Sequence, residues 1–97
     1  MEITTKSGFV CKFNENKAKD WRFCEAVAKW DSNDGSKVIE GITFAVPFLL
    51  GEEGKNALIE HITDEEGIAS TEKVMEEFRE ILDLLNAETK KSSSSPE

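Results

Sequence analysis

Val74, Phe78, Ile81, Leu82 and Leu85 recur at i, i+4, i+7, i+8 and i+11, which gathers them on one stripe of an α-helix. Glu72, Lys73, Glu76, Arg79, Glu80 and Asp83 take the opposite side. A helix with one such stripe is stable only when the stripe is covered, so the rest of the chain must supply the cover. With 97 residues there is room for one domain and one core. A domain of this size buries roughly 60–65% of its unfolded surface.

The cover is found upstream. Val38, Ile39, Ile42, Ala45, Val46, Leu49 and Leu50 form a second stripe that keeps its phase through Pro47. One helix kinked at the proline, or two short ones nearly in line, fits that pattern. Ser36 suits its N-cap and Gly51 the residue just past its end. Glu52 to about Ile62 reads as a shorter helix with Leu58, Ile59 and Ile62 inward. Thr63 to Gly67 is a polar turn, and Ser70 or Thr71 caps the final helix. Before these, a helix ends near Trp30. Trp21, Phe23, Cys24, Val27, Ala28 and Trp30 span about half its circumference, which predicts a largely buried helix. Lys17 and Lys19 would oppose the dipole of its first turn, whereas Asp20 would suit it.

The N-terminus follows a period of two. Phe9, Cys11 and Phe13 alternate with Val10 and Lys12, and Ile3 to Thr5 can pair with them. A loop of Lys6-Ser7-Gly8 sets Ile3 opposite Cys11 and Thr5 opposite Phe9, collecting the apolar residues on one face. It also puts Gly8 where such loops need a left-handed residue. From Ala87 onward no apolar residue larger than alanine occurs, and nothing there offsets the entropy of ordering the chain. The expected architecture is α+β. A single domain over 1–86 holds an N-terminal β-hairpin followed by about four α-helices, and 87–97 form a disordered Lys/Ser-rich tail.

Charge narrows the function. Residues 1–51 balance, whereas 52–88 carry twelve acidic and three basic side chains. Such a surface repels phosphate, so nucleic-acid binding through basic patches is disfavoured. A DNA-mimicking inhibitor remains the alternative use for it. No basic start leads into an apolar run, and no stretch approaches 18 apolar residues, so neither a signal peptide nor a membrane span is expected. Cys11 and Cys24 fall in apolar patterns and are expected to be buried, reduced thiols of a cytoplasmic protein.

Motifs for chemistry are sparse. His61 is the sole histidine, and no glycine-rich turn beside either cysteine suggests an oxyanion site, so no enzyme and no cofactor are expected. Asp31-Ser32-Asn33-Asp34-Gly35 resembles a calcium loop, but its glycine is fifth rather than sixth and Ile42 stands where a glutamate belongs. His61 with Glu60, Asp64 and Glu65 reads as a solvated acidic turn before it reads as a metal site. Phe44 and Phe48 stand out. They are spaced i, i+4 opposite the core stripe, with Gly41 and Pro47 on the same side. Either the hairpin covers both rings, or they form an exposed patch for a partner.

Gly8-Phe9, Asp20-Trp21-Arg22-Phe23, Leu49-Leu50-Gly51, Glu60-His61, Asp64 with Gly67, and the closing Lys90-Lys91-Ser92-Ser93-Ser94-Ser95 occur in an order that, with the length, resembles a known family. That family is the small tail assembly chaperones of long-tailed bacteriophages of Gram-positive bacteria. The resemblance spans the chain from the first strand to the serine run. It implies a self-associating cytoplasmic protein that coats the tape measure protein during tail building, with the major tail protein as a further partner. It also implies absence from the finished virion. Many members have a frameshifted longer form, for which Lys90-Lys91 would mark the slippery run and Ser92 to Glu97 the unshifted ending. Phe44, Phe48, Lys90 and Lys91 are the candidate partner-binding residues. Pro47 departs from a plain helical pattern.

Overall fold

A computed structural model describes the backbone of residues 1–92 and the side chains of 1–87. A short antiparallel hairpin, β1 (Glu2–Thr4) and β2 (Val10–Lys12), precedes three helices, α1 (Trp21–Trp30), α2 (Gly35–Ile62) and α3 (Thr71–Ser92). The hairpin has the expected register. Ile3 pairs with Cys11, the Thr5 amide donates to the Phe9 carbonyl at 2.9 Å, and the Gly8 amide closes the loop onto the Thr5 carbonyl at 3.0 Å. Gly8 has φ 92°, a conformation that costs a side-chain-bearing residue and costs glycine little. Ile3, Phe9 and Cys11 are buried together on one face.

A 3-10 turn over Glu15–Lys19 separates the hairpin from α1 and keeps Lys17 and Lys19 out of that helix. Asp20 is the N-cap of α1, its carboxylate accepting the Arg22 amide at 2.7 Å. Asp34, rather than Ser36, caps α2 and accepts the Ser36 amide at 3.0 Å. The earlier start wins because an aspartate at this position also takes the Ser36 hydroxyl, at 2.8 Å. Ser70 caps α3, its hydroxyl facing the Lys73 amide at 3.5 Å.

Two expectations change. The second and third expected helices form the single element α2, giving three helices instead of four. Its non-helical residue is Gly51, with φ 80° and ψ 169°, while Pro47 stays within the helix. Proline's fixed φ suits a helix and removes one hydrogen bond, whereas glycine alone adopts the positive φ without strain. The bend therefore falls at Gly51. The helical backbone of α3 also runs through Ser92, so the first six residues assigned to the tail are helical. Residues 93–97 lie outside the described part.

Phe23, Ala26 and Trp30 of α1 meet Ile42, Ala45, Val46, Leu49 and Leu50 of α2, and Val74, Phe78, Ile81 and Leu85 of α3 close the core. Leu58 anchors the second limb of α2 and is fully buried. Phe78 touches the two inward-facing aromatic rings of α1, tilted against Trp30 at 5.7 Å and edge-on to Phe23 at 6.5 Å. Gly41 lets α1 and α2 cross closely: a Cβ there would stand 2.3 Å from the Ala26 carbonyl oxygen and 2.7 Å from the Trp30 nitrogen.

Three aspartates at chain turns and helix starts hold local structure as anions. The Arg22 side chain and amide hold Asp20 below the usual carboxylate range. The Ser36 hydroxyl and amide do so for Asp34, and the Ile68 and Glu66 amides for Asp64. Each has a folded pKa below its unfolded one, so its contribution is present above about pH 4 and lost as pH falls through the folded value. The triple variant Asp20→Asn, Asp34→Asn, Asp64→Asn should therefore show a flatter loss of thermal midpoint between about pH 5 and 2 than the parent, read by circular dichroism.

Candidate protein-binding surface

The aromatic residues singled out on α2 lie beside α1. Phe48 is half-buried, sandwiched between Phe44 (5.3 Å between centroids, 18° between planes) and Phe23 of α1 (6.3 Å, 24°). The Arg22 guanidinium stands over the Phe48 ring at 5.3 Å, and the Lys17 ammonium at 5.8 Å. The 3-10 turn and α1 thus supply this ring's packing, where the sequence left open cover by the hairpin or an exposed patch. Phe44 ends the stack and stays 42% exposed. It walls a cleft of about 190 Å3 lined also by Arg22, Ala26, Lys29 and Glu40.

Trp21 is a second exposed aromatic residue, and its position overturns an expectation. It is 77% exposed, although its place in the apolar arc of α1 suggested burial. At 100° per residue Trp21 lies about half a turn from Phe23, Ala26 and Trp30, the three residues that enter the core. Cys24 and Ala28 share its side and are exposed too. The narrow i, i+3, i+7 spacing of Phe23, Ala26 and Trp30 was the signal for the true inner face. Ala26 carries so little apolar area that it did not weigh against a tryptophan. An indole this open, with a half-exposed phenylalanine on the adjacent helix, is an unusual amount of aromatic surface for so small a domain. Arg22 is held in place beside it by Asp20, through contacts of 3.1 and 3.0 Å.

The two cysteines behave differently. Cys11 is buried, and burial, with the charges of Glu77 and Glu2 adding, pushes its thiol up to about 11. Cys24 is exposed, its thiol near the Ala18 carbonyl at 3.7 Å. Alkylation of the native protein at pH 8 should modify Cys24 and leave Cys11 intact until denaturant is added, as read by mass spectrometry. Equal labelling of both would contradict the burial of Cys11 on the inner face of the hairpin.

A polar cluster joins the hairpin loop to α2 and α3. Ser7 donates to Glu77 at 2.7 Å, Thr5 also donates to Glu77, and Ser7 Oγ lies 2.9 Å from His61 Nε2. The composition is that of a serine–histidine–carboxylate set, but the proton directions are wrong for one. The Ser7 hydroxyl donates its single proton to Glu77, which leaves its oxygen to accept from His61 rather than to donate to it. A nucleophilic serine instead gives its proton to the histidine. The cluster clamps the hairpin, helped by the Lys6 amide donating to Glu80 at 2.8 Å. His61 also lies against the Phe9 ring at 5.4 Å. Asp64 points its carboxylate into its own turn, accepting the amides of Glu66 at 2.9 Å and Ile68 at 3.1 Å. In the calcium-like loop Asp34 is the α2 cap, and Asp31 faces Arg79 at 3.7 Å.

Lys90 and Lys91 fall in the last turn of α3, and their side chains lie outside the described residues. Among the described residues no helix is long and apolar enough to cross a membrane. No protein-family model, curated protein or solved structure matches this chain.

Proposed function

We propose that this protein is a tail assembly chaperone of a long-tailed phage or prophage, binding the tape measure protein in the host cytoplasm while the tail is built. The observation that carries the proposal is the exposure of two aromatic side chains, the open Trp21 indole of α1 and the half-exposed Phe44 ring of α2, the latter stacked on Phe48. A chaperone of this kind acts by non-covalent contact. It needs apolar surface that competes with the client's contacts to itself, and charge that keeps the complex in solution. Aromatic rings supply the first with little side-chain entropy to lose. The acidic residues of 52–88 supply the second. Modest contacts repeated along a long client give an assembly that can still dissociate as the tube closes. The major tail protein is a second partner for the same surface, and self-association of the chaperone would provide the repetition.

Co-expression of the full chain with the tape measure protein of the same genome tests this. The client should remain soluble and co-purify. A client that precipitates to the same extent with and without this protein would sink the proposal. Displacement of the protein from a basic enzyme by duplex DNA would favour the acidic-inhibitor alternative instead.

A further inference from the structure

The hairpin is fastened to the helices at one end. Among the described residues, every hydrogen bond from residues 1–13 to α1, α2 or α3 leaves the loop between the strands. Thr5 and Ser7 donate to Glu77, the Lys6 amide donates to Glu80, and Ser7 meets His61. The opposite end runs through Phe13 and Asn14 into the 3-10 turn. In between, β1 packs on α3 and β2 on α2, with Ile3, Phe9 and Cys11 buried against them.

Two further features make this attachment releasable. Glu77 lies in the apolar phase of α3, one turn from Val74 and from Ile81, and is only 8% exposed. Taking a carboxylate out of water is costly unless hydrogen bonds compensate. The side-chain donors to Glu77, Thr5 and Ser7, both belong to the hairpin loop. When the loop lifts, Glu77 regains water, so part of what is lost in contacts is returned as hydration. The strands themselves have three residues each. A lone two-stranded ribbon of that size is marginal in water, so a lifted hairpin does not hold its own ladder. The helices, by contrast, keep Phe78 packed against Phe23 and Trp30 with no hairpin residue in that contact.

We propose that the hairpin is a latched cover that detaches and unravels as one unit while the three helices stay folded, with Glu77 as the latch. Detachment uncovers Cys11 and the apolar faces of α2 and α3 behind the strands. The domain thereby holds apolar surface in reserve, shut away while the loop is fastened. Opening of a weakly attached unit below the free energy of global unfolding is the general behaviour on which the device draws. It does not depend on which client the exposed aromatic residues hold.

Amide hydrogen exchange of the full chain, followed by NMR across sub-denaturing urea, tests it. The Thr5 amide at the loop end and the Phe13 amide at the far end are both bonded within the hairpin, at 2.9 and 3.0 Å. Opening as a unit gives these two the same protection and a weak dependence on urea. Both should be at least about tenfold less protected than the Leu49 and Phe78 amides, a difference of about 1.4 kcal/mol. Two variants then act differently. Glu77→Ala should lower the protection of Thr5 and Phe13 by at least about tenfold, and Glu77→Gln, which keeps the shape, should lower it in the same direction. Gly41→Ala, placed where α2 crosses α1, should lower the protection of Leu49 and Phe78 and leave Thr5 and Phe13 unchanged. Hairpin amides as protected as the helical ones in the parent would overturn the proposal. So would unequal protection of Thr5 and Phe13, which is fraying, or a Gly41→Ala effect of the same size on both sets, which is global unfolding. No change at Thr5 and Phe13 in either Glu77 variant would remove Glu77 as the latch.

Discussion

Phe78→Ala should lower the thermal midpoint by roughly 20 °C. The ring is fully buried and packs against both aromatic rings of the α1 inner face. Truncating a phenylalanine in such a site costs about 3–5 kcal/mol, as lost transfer energy plus the cavity left behind. A domain of this length has about 5–15 kcal/mol in all, and each kcal/mol moves the midpoint by about 4–8 °C. Phe78→Leu, which keeps most of the volume, should cost much less. A drop of only a few degrees for the alanine variant would mean that α3 does not close the core as described.

Gly41→Ala separates two physical effects of opposite sign. Helix propensity alone favours alanine by about 1 kcal/mol. The added methyl, however, would sit against backbone, 2.3 Å from the Ala26 oxygen and 2.7 Å from the Trp30 nitrogen, and neither atom can move without shifting α1. Overpacking of this sort costs about 1–3 kcal/mol and at times more, so a net destabilisation of about 2 kcal/mol is expected by denaturant unfolding. Gly54→Ala should also be destabilised, because its Cβ would stand 2.7 Å from the Leu50 Cβ, an atom fixed to the helix backbone. A stabilised Gly41→Ala variant would show that the helices cross further apart.

The elements governed by local chemistry were legible in the sequence. The hairpin register followed from period-two alternation and one glycine at a left-handed position. The α3 stripe was found almost whole, with Val74, Phe78, Ile81 and Leu85 all buried. Gly51 was placed at a helix end, and its positive φ is the reason that a bend occurs there. What escaped the sequence depends on partners far along the chain. Glu77 lies in the apolar phase of α3, yet its use as an acceptor for Thr5 and Ser7 depends on residues about seventy positions earlier. Gly41 has no side chain, so periodicity carries no trace of the helix that presses on it. Trp21 and Cys24 were assigned inward because a helix apolar over half its circumference has more than one arc that could face the core. Only the position of α2 selects between them. That misassignment enlarged the candidate site, because the residue with the most exposed aromatic surface was counted as core.

Binding of the proposed client, the tape measure protein, by the Trp21→Ser/Phe44→Ser double variant is the most direct test of the aromatic residues' role. Trp21 is largely open and Phe44 half-exposed in the folded chain, whereas Phe48 is stacked between two rings and its loss would also weaken the fold. The variant should melt within a few degrees of the parent and retain less than a tenth of the client binding, equivalent to at least about 1.4 kcal/mol. A folded variant that holds the client as tightly as the parent would contradict the assignment of this surface.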